Sequence, residues 1–184
     1  MNSFNEMQQI KRHFFAMRNG IIADALRKAG SPFRIIFGLN LPQIVDVAKT
    51  TGMNHELSRK LWENNTTRCS MLLAPMIMPT DKMTEDEALQ WCIESPTTEV
   101  TDVLCHRLLR RLPCAFTLVS RLSGGDDNMR YTALRLAMNL VQTPDAPLEE
   151  WEKMAQEEDA RGILMTRTVA RQLADEIDFI KNPI

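Results

Sequence analysis

The strongest constraint on the fold is a succession of short amphipathic segments, each bounded by residues that start or stop a helix. Leu41-Pro42 begins one segment and Gly52 ends it, as proline in the first turn and glycine after the last turn commonly do. Asn54 caps the next segment. The chain has only seven glycines and no sustained alternation of apolar and polar residues. These features disfavour a strand-rich fold, and the pattern predicts an all-α protein.

The later segments follow the same rule. Their expected boundary residues are Thr66, Thr84, Thr98, Gly124 and either Asp126 or Asp127. The helix after Thr98 is expected to end before Pro113. The last helix carries an almost continuous apolar stripe, formed by Met165, Val169, Leu173, Ile177 and Ile180.

Helices of about 10 to 15 residues joined by short turns pair as antiparallel hairpins. Successive pairs without an identical sequence repeat are typical of divergent HEAT-like repeats, in which each pair buries its apolar face against its neighbours. A compact irregular helical bundle would produce the same pattern, so both architectures stay open at this point. The length of 184 residues is about that of one domain, and we treat residues 1–184 as a single domain.

The charge of the chain is unevenly distributed. The formal net charge is −2 and the sequence pI is about 6.0, whereas a wholly basic nucleic-acid-binding domain usually has a pI above roughly 9. Residues 1–40, however, carry six lysines and arginines against two acids, and residues 102–144 carry six arginines against three acids. The bulk balance therefore conceals two locally basic blocks, although ordinary solvated faces would also account for them.

Several functional classes are excluded by missing patterns. No apolar run approaches the roughly 20 residues that span a bilayer, and the first residues lack the pattern of a signal peptide, so we expect no membrane association and a cytoplasmic location. The four cysteines are widely spaced, which predicts reduced, buried thiols. The three histidines show no metal-ligand spacing, and no Walker A, G-x-G-x-x-G or G-x-S-x-G motif occurs. We expect no cofactor.

Two residues stand out as candidates for function. Asp102 is expected in the first turn of its helix, where the positive end of the helix dipole favours an ionised carboxylate that could stabilise a developing positive charge. Arg130 is expected beside the exposed backbone amides of another helix start, which is a natural phosphate site. Ordinary capping by Asp102, and a surface ion pair from Arg130 to Asp126 or Asp127, explain the same spacing equally well.

The region 33–141 resembles the AlkD-type DNA alkylation repair family. The opening motif of the resemblance is Phe37-Gly38-Leu39-Asn40-Leu41-Pro42-Gln43-Ile44, and Ala48-Lys49 follows it in the segment that Leu41-Pro42 begins. Further matches follow in the family's order, at His55-Glu56-Leu57, Leu61-Trp62-Glu63, Arg68 with Leu72-Leu73-Ala74, Glu87 to Trp91, Asp102-Val103-Leu104-Cys105, Leu108-Leu109, and Arg130 with Thr132-Ala133-Leu134.

The resemblance implies a HEAT-like helical solenoid that holds double-stranded DNA and excises N3- or N7-alkylated purines without a metal or nucleotide cofactor. It assigns Asp102 to the carboxylate that stabilises the cationic transition state and Arg130 to a phosphate contact. We add Arg107 as a second candidate for a phosphate contact.

A function of a different class also fits the sequence. A non-catalytic helical-repeat protein could bind a protein partner or undamaged nucleic acid on its concave face. The family places a tryptophan shortly before its aspartate, where this chain has Thr98, and residues 145–159 carry seven acids against one lysine. These features favour the non-catalytic hypothesis, whereas Asp102 and Arg130 favour the repair hypothesis.

Overall fold

The computed structural model describes the backbone of residues 3–183 and the side chains of residues 6–183. Within this range the chain forms eleven α-helices, and its β-type pairing is a single parallel bridge between Ile35 and Thr67. The chain divides into two compact units, Met1–Met83 and Thr84–Ile184. The single domain expected from chain length stays a prediction, and each unit is described by itself.

The N-terminal unit is built around a buried helix. Its five α-helices are α1 (Ser3–Ala16), α2 (Gly20–Lys28), α3 (Leu41–Thr51), α4 (His55–Glu63) and α5 (Arg68–Ile77). Every residue of α5 is buried, as expected for a helix that is apolar on nearly all sides, and α3 and α4 pack against it. The buried Ser58 hydroxyl donates to the Ala74 carbonyl at 2.7 Å, which joins α4 to α5.

The C-terminal unit is organised around its fourth helix. Its six α-helices are α6 (Glu85–Glu94), α7 (Thr98–Arg107), α8 (Ala115–Ser123), α9 (Asp127–Leu140), α10 (Leu148–Arg161) and α11 (Leu164–Lys181). Helix α9 packs against α7, α8 and α11, and α10 pairs with α11. The rings of Phe116 on α8 and Trp151 on α10 stack with centroids 5.8 Å apart.

Several helix boundaries confirm the sequence expectations. Asn40 and Gln43 form a reciprocal capping box at the start of α3, and the Gly52 N–H caps its end. Asn54 caps α4, and the Asp126 side chain accepts the Met129 N–H at the start of α9. These boundaries depend on contacts within three or four residues, which is why the sequence predicts them well.

Two expectations for the start of α7 are wrong. The cap of α7 is Thr97, whose hydroxyl accepts the Val100 N–H, so α7 begins at Thr98 and Asp102 lies beyond its first turn. The expected end of this helix before Pro113 is confirmed, since the helix ends at Arg107 and a 3-10 turn follows it. The direct effect of the helix dipole on Asp102 is therefore weaker than expected, because that effect falls off within the first turn.

The cysteines agree with the expectation of reduced thiols. All four are free, and three of them are buried: Cys69, Cys92 and Cys105. Burial is the main cause that raises the pKa of Cys92 to about 12. Cys114 is half-buried.

Candidate functional site

A ladder of polar side chains lies where α7 packs on α9. Asp102 and His106 are one turn apart on α7, and Tyr131, Arg135 and Asn139 occupy successive turns of one face of α9. We call these five residues the α7–α9 ladder. The i, i+4 spacing on both helices brings the two rows together, and every rung is a hydrogen bond between the helices.

Asp102 is the centre of the first rung. Its Oδ1 accepts hydrogen bonds from Arg135 Nε at 2.7 Å and from the Tyr131 hydroxyl at 2.9 Å. Its Oδ2 accepts from Arg135 Nη2 at 3.0 Å, so the guanidinium binds the carboxylate through two N–H groups. The side chains of Asp102 and Arg135 are 34% and 30% exposed. The carboxylate is thus accessible and fixed, but its charge is compensated by Arg135.

The neighbouring groups titrate outside the neutral range. Desolvation by burial, followed by the hydrogen bond to Asp102, raises the pKa of Tyr131 well above its ordinary value. The same carboxylate raises the pKa of Arg135 through its hydrogen bonds. Burial also raises the pKa of the Cys105 thiol, which lies behind the rung and donates to the Thr132 carbonyl at 3.8 Å. Tyr131 therefore remains neutral and donates to Asp102 at neutral pH.

The second rung joins His106 to Asn139. The Asn139 amide nitrogen donates to the Arg135 carbonyl at 2.8 Å, which leaves its Oδ1 as an acceptor 3.0 Å from His106 Nδ1. His106 consequently donates from Nδ1, and its ring is exposed at the surface.

Three arginines follow the ladder at the end of α7. Arg107 is the last residue of the helix and is half-buried, whereas Arg110 and Arg111 lie in the 3-10 turn and are exposed. Within residues 6–183 none of the three forms an ion pair, in contrast to Arg135. Together they form an uncompensated positive group, of which Arg107 is the member expected from the sequence to contact phosphate.

Arg130 occupies a different environment. Its side chain is 13% exposed and bonds to Asp127 and to the Gly125 carbonyl. Its Nε lies 3.3 Å from a carboxylate oxygen of Glu158, whose side chain is 6% exposed, although this nitrogen makes no hydrogen bond. Glu158 in turn accepts the Thr166 hydroxyl at 2.8 Å. Arg130 therefore belongs to a buried cluster that joins α9, α10 and α11.

Asp102 and Arg130 do not contact each other and bond to different residues. Arg130 and Arg135 are five positions apart on α9 and so lie on different faces, and of the two it is Arg135 that bonds to α7. Tyr131 and Arg135, the partners of Asp102, are absent from the candidates chosen by sequence. Their i, i+4 spacing was the available signal, but nothing in the sequence shows that their face meets Asp102.

The acids of α10 are partly compensated by neighbouring cations. Asp159 accepts from Arg167 at 3.1 Å and from Arg171 at 2.8 Å, and Glu152 binds Lys181 at 2.6 Å. The segment that the sequence shows as acidic is thus paired in part with the cations of α11, and its field is weaker than its composition indicates.

Comparisons with known proteins identify the fold. No family model and no curated protein matches the chain. A solved structure from a new family of proteins related to the HEAT-like repeat DNA glycosylases, with affinity for branched DNA structures, has a TM-score of 0.78 and 15% sequence identity. The structural alignment covers 94% of this chain and 74% of the chain in that solved structure.

The all-α, HEAT-like helical-repeat fold expected from the sequence is therefore confirmed. Identity this low establishes the fold alone. Among the described residues no helix is both long and apolar enough to cross a membrane.

Proposed function

We propose that this chain is a DNA-binding helical-repeat protein that recognises branched DNA through the end of α7 and the adjacent α7–α9 ladder. The observation that carries the proposal is the group of three arginines without ion pairs: Arg107, Arg110 and Arg111. They lie on a fold shared with proteins described as having affinity for branched DNA structures.

Arginine is suited to this task because its planar fork binds phosphate oxygens through two N–H groups and remains charged at every accessible pH. An arginine already bound to a carboxylate would have to give up that partner first, so the three free guanidinium groups are the best placed to bind phosphate. Each phosphate neutralised releases condensed counterions, and binding should therefore weaken steeply as salt concentration rises.

Asp102 acts as a positioning residue in this proposal. It holds Arg135 and Tyr131 in place, and its pairing with Arg135 leaves the rung with no net charge. A neutral rung is compatible with a nearby phosphate backbone, whereas a free carboxylate would repel it.

The proposal is tested by fluorescence anisotropy with a labelled four-way junction and a linear duplex of equal length. The variant R107Q/R110Q/R111Q removes three positive charges from the free group. The matched control R161Q/R167Q/R171Q removes three charges from arginines of the same unit that are ion-paired to Glu158 or Asp159.

We expect the first variant to bind the junction roughly 100-fold more weakly at low salt and to lower the slope of log affinity against log salt by about 3. The control should change both quantities much less. Equal losses in the two variants would contradict the assignment to α7, and a wild-type protein that does not shift any junction would overturn DNA binding and favour a protein partner.

Excision of N3- or N7-alkylated purines is a second candidate function. The observation that favours it is the Asp102 carboxylate, which is a third exposed and held in place by three hydrogen bonds, as electrostatic stabilisation of a cationic sugar requires. The remaining exposed edge of Arg130 would contact phosphate. The bidentate pair with Arg135 offsets the charge of Asp102, and binding without excision is therefore the first candidate.

Methylated duplex DNA separates the two candidates. The protein, in excess, is incubated with the duplex, and released 3-methyladenine and 7-methylguanine are measured. Excision requires release by the wild-type protein and its loss in D102N without loss of DNA binding. No release from the wild type, together with junction binding, supports the binding function alone.

A further inference from the structure

A cleft of about 560 Å³ opens in the N-terminal unit, far along the chain from the α7–α9 ladder. Helix α1, helix α2 and the segment after them line it. The residues that define its chemistry are Phe15, Arg18, Arg27, Ile36 and Phe37. The volume lies within the roughly 300–1,000 Å³ of ordinary small-ligand sites.

Local backbone contacts hold the cleft in shape. The Asn19 N–H donates to the Phe37 carbonyl at 2.8 Å, and the Asn19 side chain caps α2 by accepting the Ile21 and Ile22 N–H groups. Gly38 has a φ of +77°, and a Cβ at this position would lie 2.0 Å from the Asn19 carbonyl oxygen. The turn between α1 and α2 can therefore approach this segment closely only because residue 38 is glycine.

Two phenylalanine rings give the cleft an aromatic character. Phe37 is anchored from behind by the fully buried Phe14, with ring centroids 5.8 Å apart. Phe15 is 57% exposed, and the Arg18 guanidinium carbon lies 3.9 Å from the centroid of its ring. A ring that is so exposed contributes little to the core, and its cation–π partner places a positive charge beside it.

The charges at the cleft are positive. Arg18 and Arg27 line it, and no acid is found among its described lining residues. Arg18 uses one nitrogen to bond the Phe15 carbonyl at 3.0 Å, which leaves its other N–H groups available. Arg27 pairs with Asp24 only at the surface, where the pair is exposed and weak. The cleft therefore suits a planar aromatic group that carries a negative charge.

We propose that this cleft binds an unpaired nucleotide of single-stranded DNA. The base stacks on the phenylalanine rings, and the flanking phosphates bind Arg18 and Arg27. A base that remains paired cannot enter, because its faces are covered by its neighbours in the duplex. This site is independent of the proposed function, since it lies in the other unit and uses none of the α7 arginines.

The experiment titrates a short fluorescein-labelled oligothymidine with the full chain and its variants. F15A removes an exposed ring of the cleft, and its matched control is F179A, a phenylalanine of α11 that is 58% exposed. R18Q removes a cleft charge, and its control is R34Q, an exposed arginine of the same unit outside the cleft. Melting temperatures verify that each variant folds.

We expect F15A to weaken oligothymidine binding about tenfold and F179A to leave it unchanged, since base stacking on an aromatic side chain accounts for such a factor per base. R18Q should weaken binding more than R34Q. Unchanged affinity in F15A, equal losses in R18Q and R34Q, or no binding by the wild type would overturn the proposal. F15A should leave binding of the fully paired four-way junction unchanged, so failure of this site and failure of junction binding are distinguishable.

Discussion

Helix α9 carries two arginine–carboxylate pairs that differ in burial. Asp102 and Arg135 are each about a third exposed, whereas Arg130 and Glu158 are nearly inaccessible. Asp102 of the exposed pair lies on the helix that ends in three arginines without ion pairs among the described residues. The buried pair lies among Asp127, the Gly125 carbonyl and the Thr166 hydroxyl, although Arg130 Nε makes no hydrogen bond to a described residue.

The same chemical pair therefore performs two tasks. Taking charges out of water is costly, so a buried pair is tolerated only while both partners are present. Removing one partner therefore lowers the free energy of unfolding. An exposed pair contributes little to stability. Removing one of its charges instead changes the electrostatic potential at the surface where a ligand would bind. Mutations in the two pairs should consequently separate stability from binding.

The largest effect is expected at the buried pair. Glu158→Ala leaves Arg130 with Asp127 as its remaining carboxylate partner and removes the acceptor of the Thr166 hydroxyl. We expect a loss of about 3 kcal/mol in the free energy of unfolding, or roughly 6–12 °C in Tm, measured by thermal and urea denaturation. Junction affinity at a temperature where the variant is folded should not change.

The neighbouring residue provides the control for this variant. Glu157 is exposed, and its pair with Lys153 is long, at 3.8 Å. Glu157→Ala should therefore leave Tm unchanged. Equal destabilisation by the two substitutions would show that the Glu158 cluster is no more important to folding than a surface charge.

A smaller effect is expected at the exposed pair. Asp102→Asn removes the charge from the rung but keeps an oxygen that Arg135 and Tyr131 can donate to. We expect a loss of about 1 kcal/mol in unfolding free energy, and junction binding that is equal to or a few-fold tighter than that of the wild type. Anisotropy at matched salt checks this, and clearly weaker binding would mean that Asp102 positions Arg135 for direct contact with DNA.

The ladder also predicts a pH dependence. Because the pKa of Tyr131 is raised in the folded protein, its contribution to stability is fully present below the ordinary tyrosine pKa of about 10. That contribution is lost as the pH rises above this value, since the unfolded chain then releases the proton more readily. Tyr131→Phe should flatten the alkaline decline in urea-unfolding free energy. Parallel declines in the two proteins would contradict the coupling to Asp102.

The smallest effect is expected on the surface between α10 and α11. Hydrogen bonds from Arg171 and then Arg167 lower the pKa of Asp159, so its contribution to stability is present near neutral pH and is lost as the pH falls below the ordinary range of aspartate. The group is exposed to solvent, which screens its charge. Asp159→Asn should leave Tm at pH 7 unchanged, and a loss comparable to that of Glu158→Ala would indicate a buried role.

Much of the fold could be predicted from local sequence signals. The start at Leu41-Pro42, the stop at Gly52 and the cap at Asp126 depend on contacts within a helical turn. Helix α10 was not predicted, because Pro147 supplies no side-chain cap and the buried Glu158 interrupts the apolar face. From sequence alone, an acid on a buried helix face cannot be distinguished from a solvent-exposed acid, because its partner is distant in the chain.

The candidate site shows the same division more clearly. The sequence by itself determined that the protein is helical, where several helices begin and which residues share a helix face, because these properties depend on neighbours three or four positions away. Only the tertiary structure decided that Asp102 meets Arg135, 33 positions later, and that Arg130 meets Glu158, 28 positions later. The choice between an accessible and a buried charge depends on which helix faces pack together, and helical periodicity alone carries no information about that pairing.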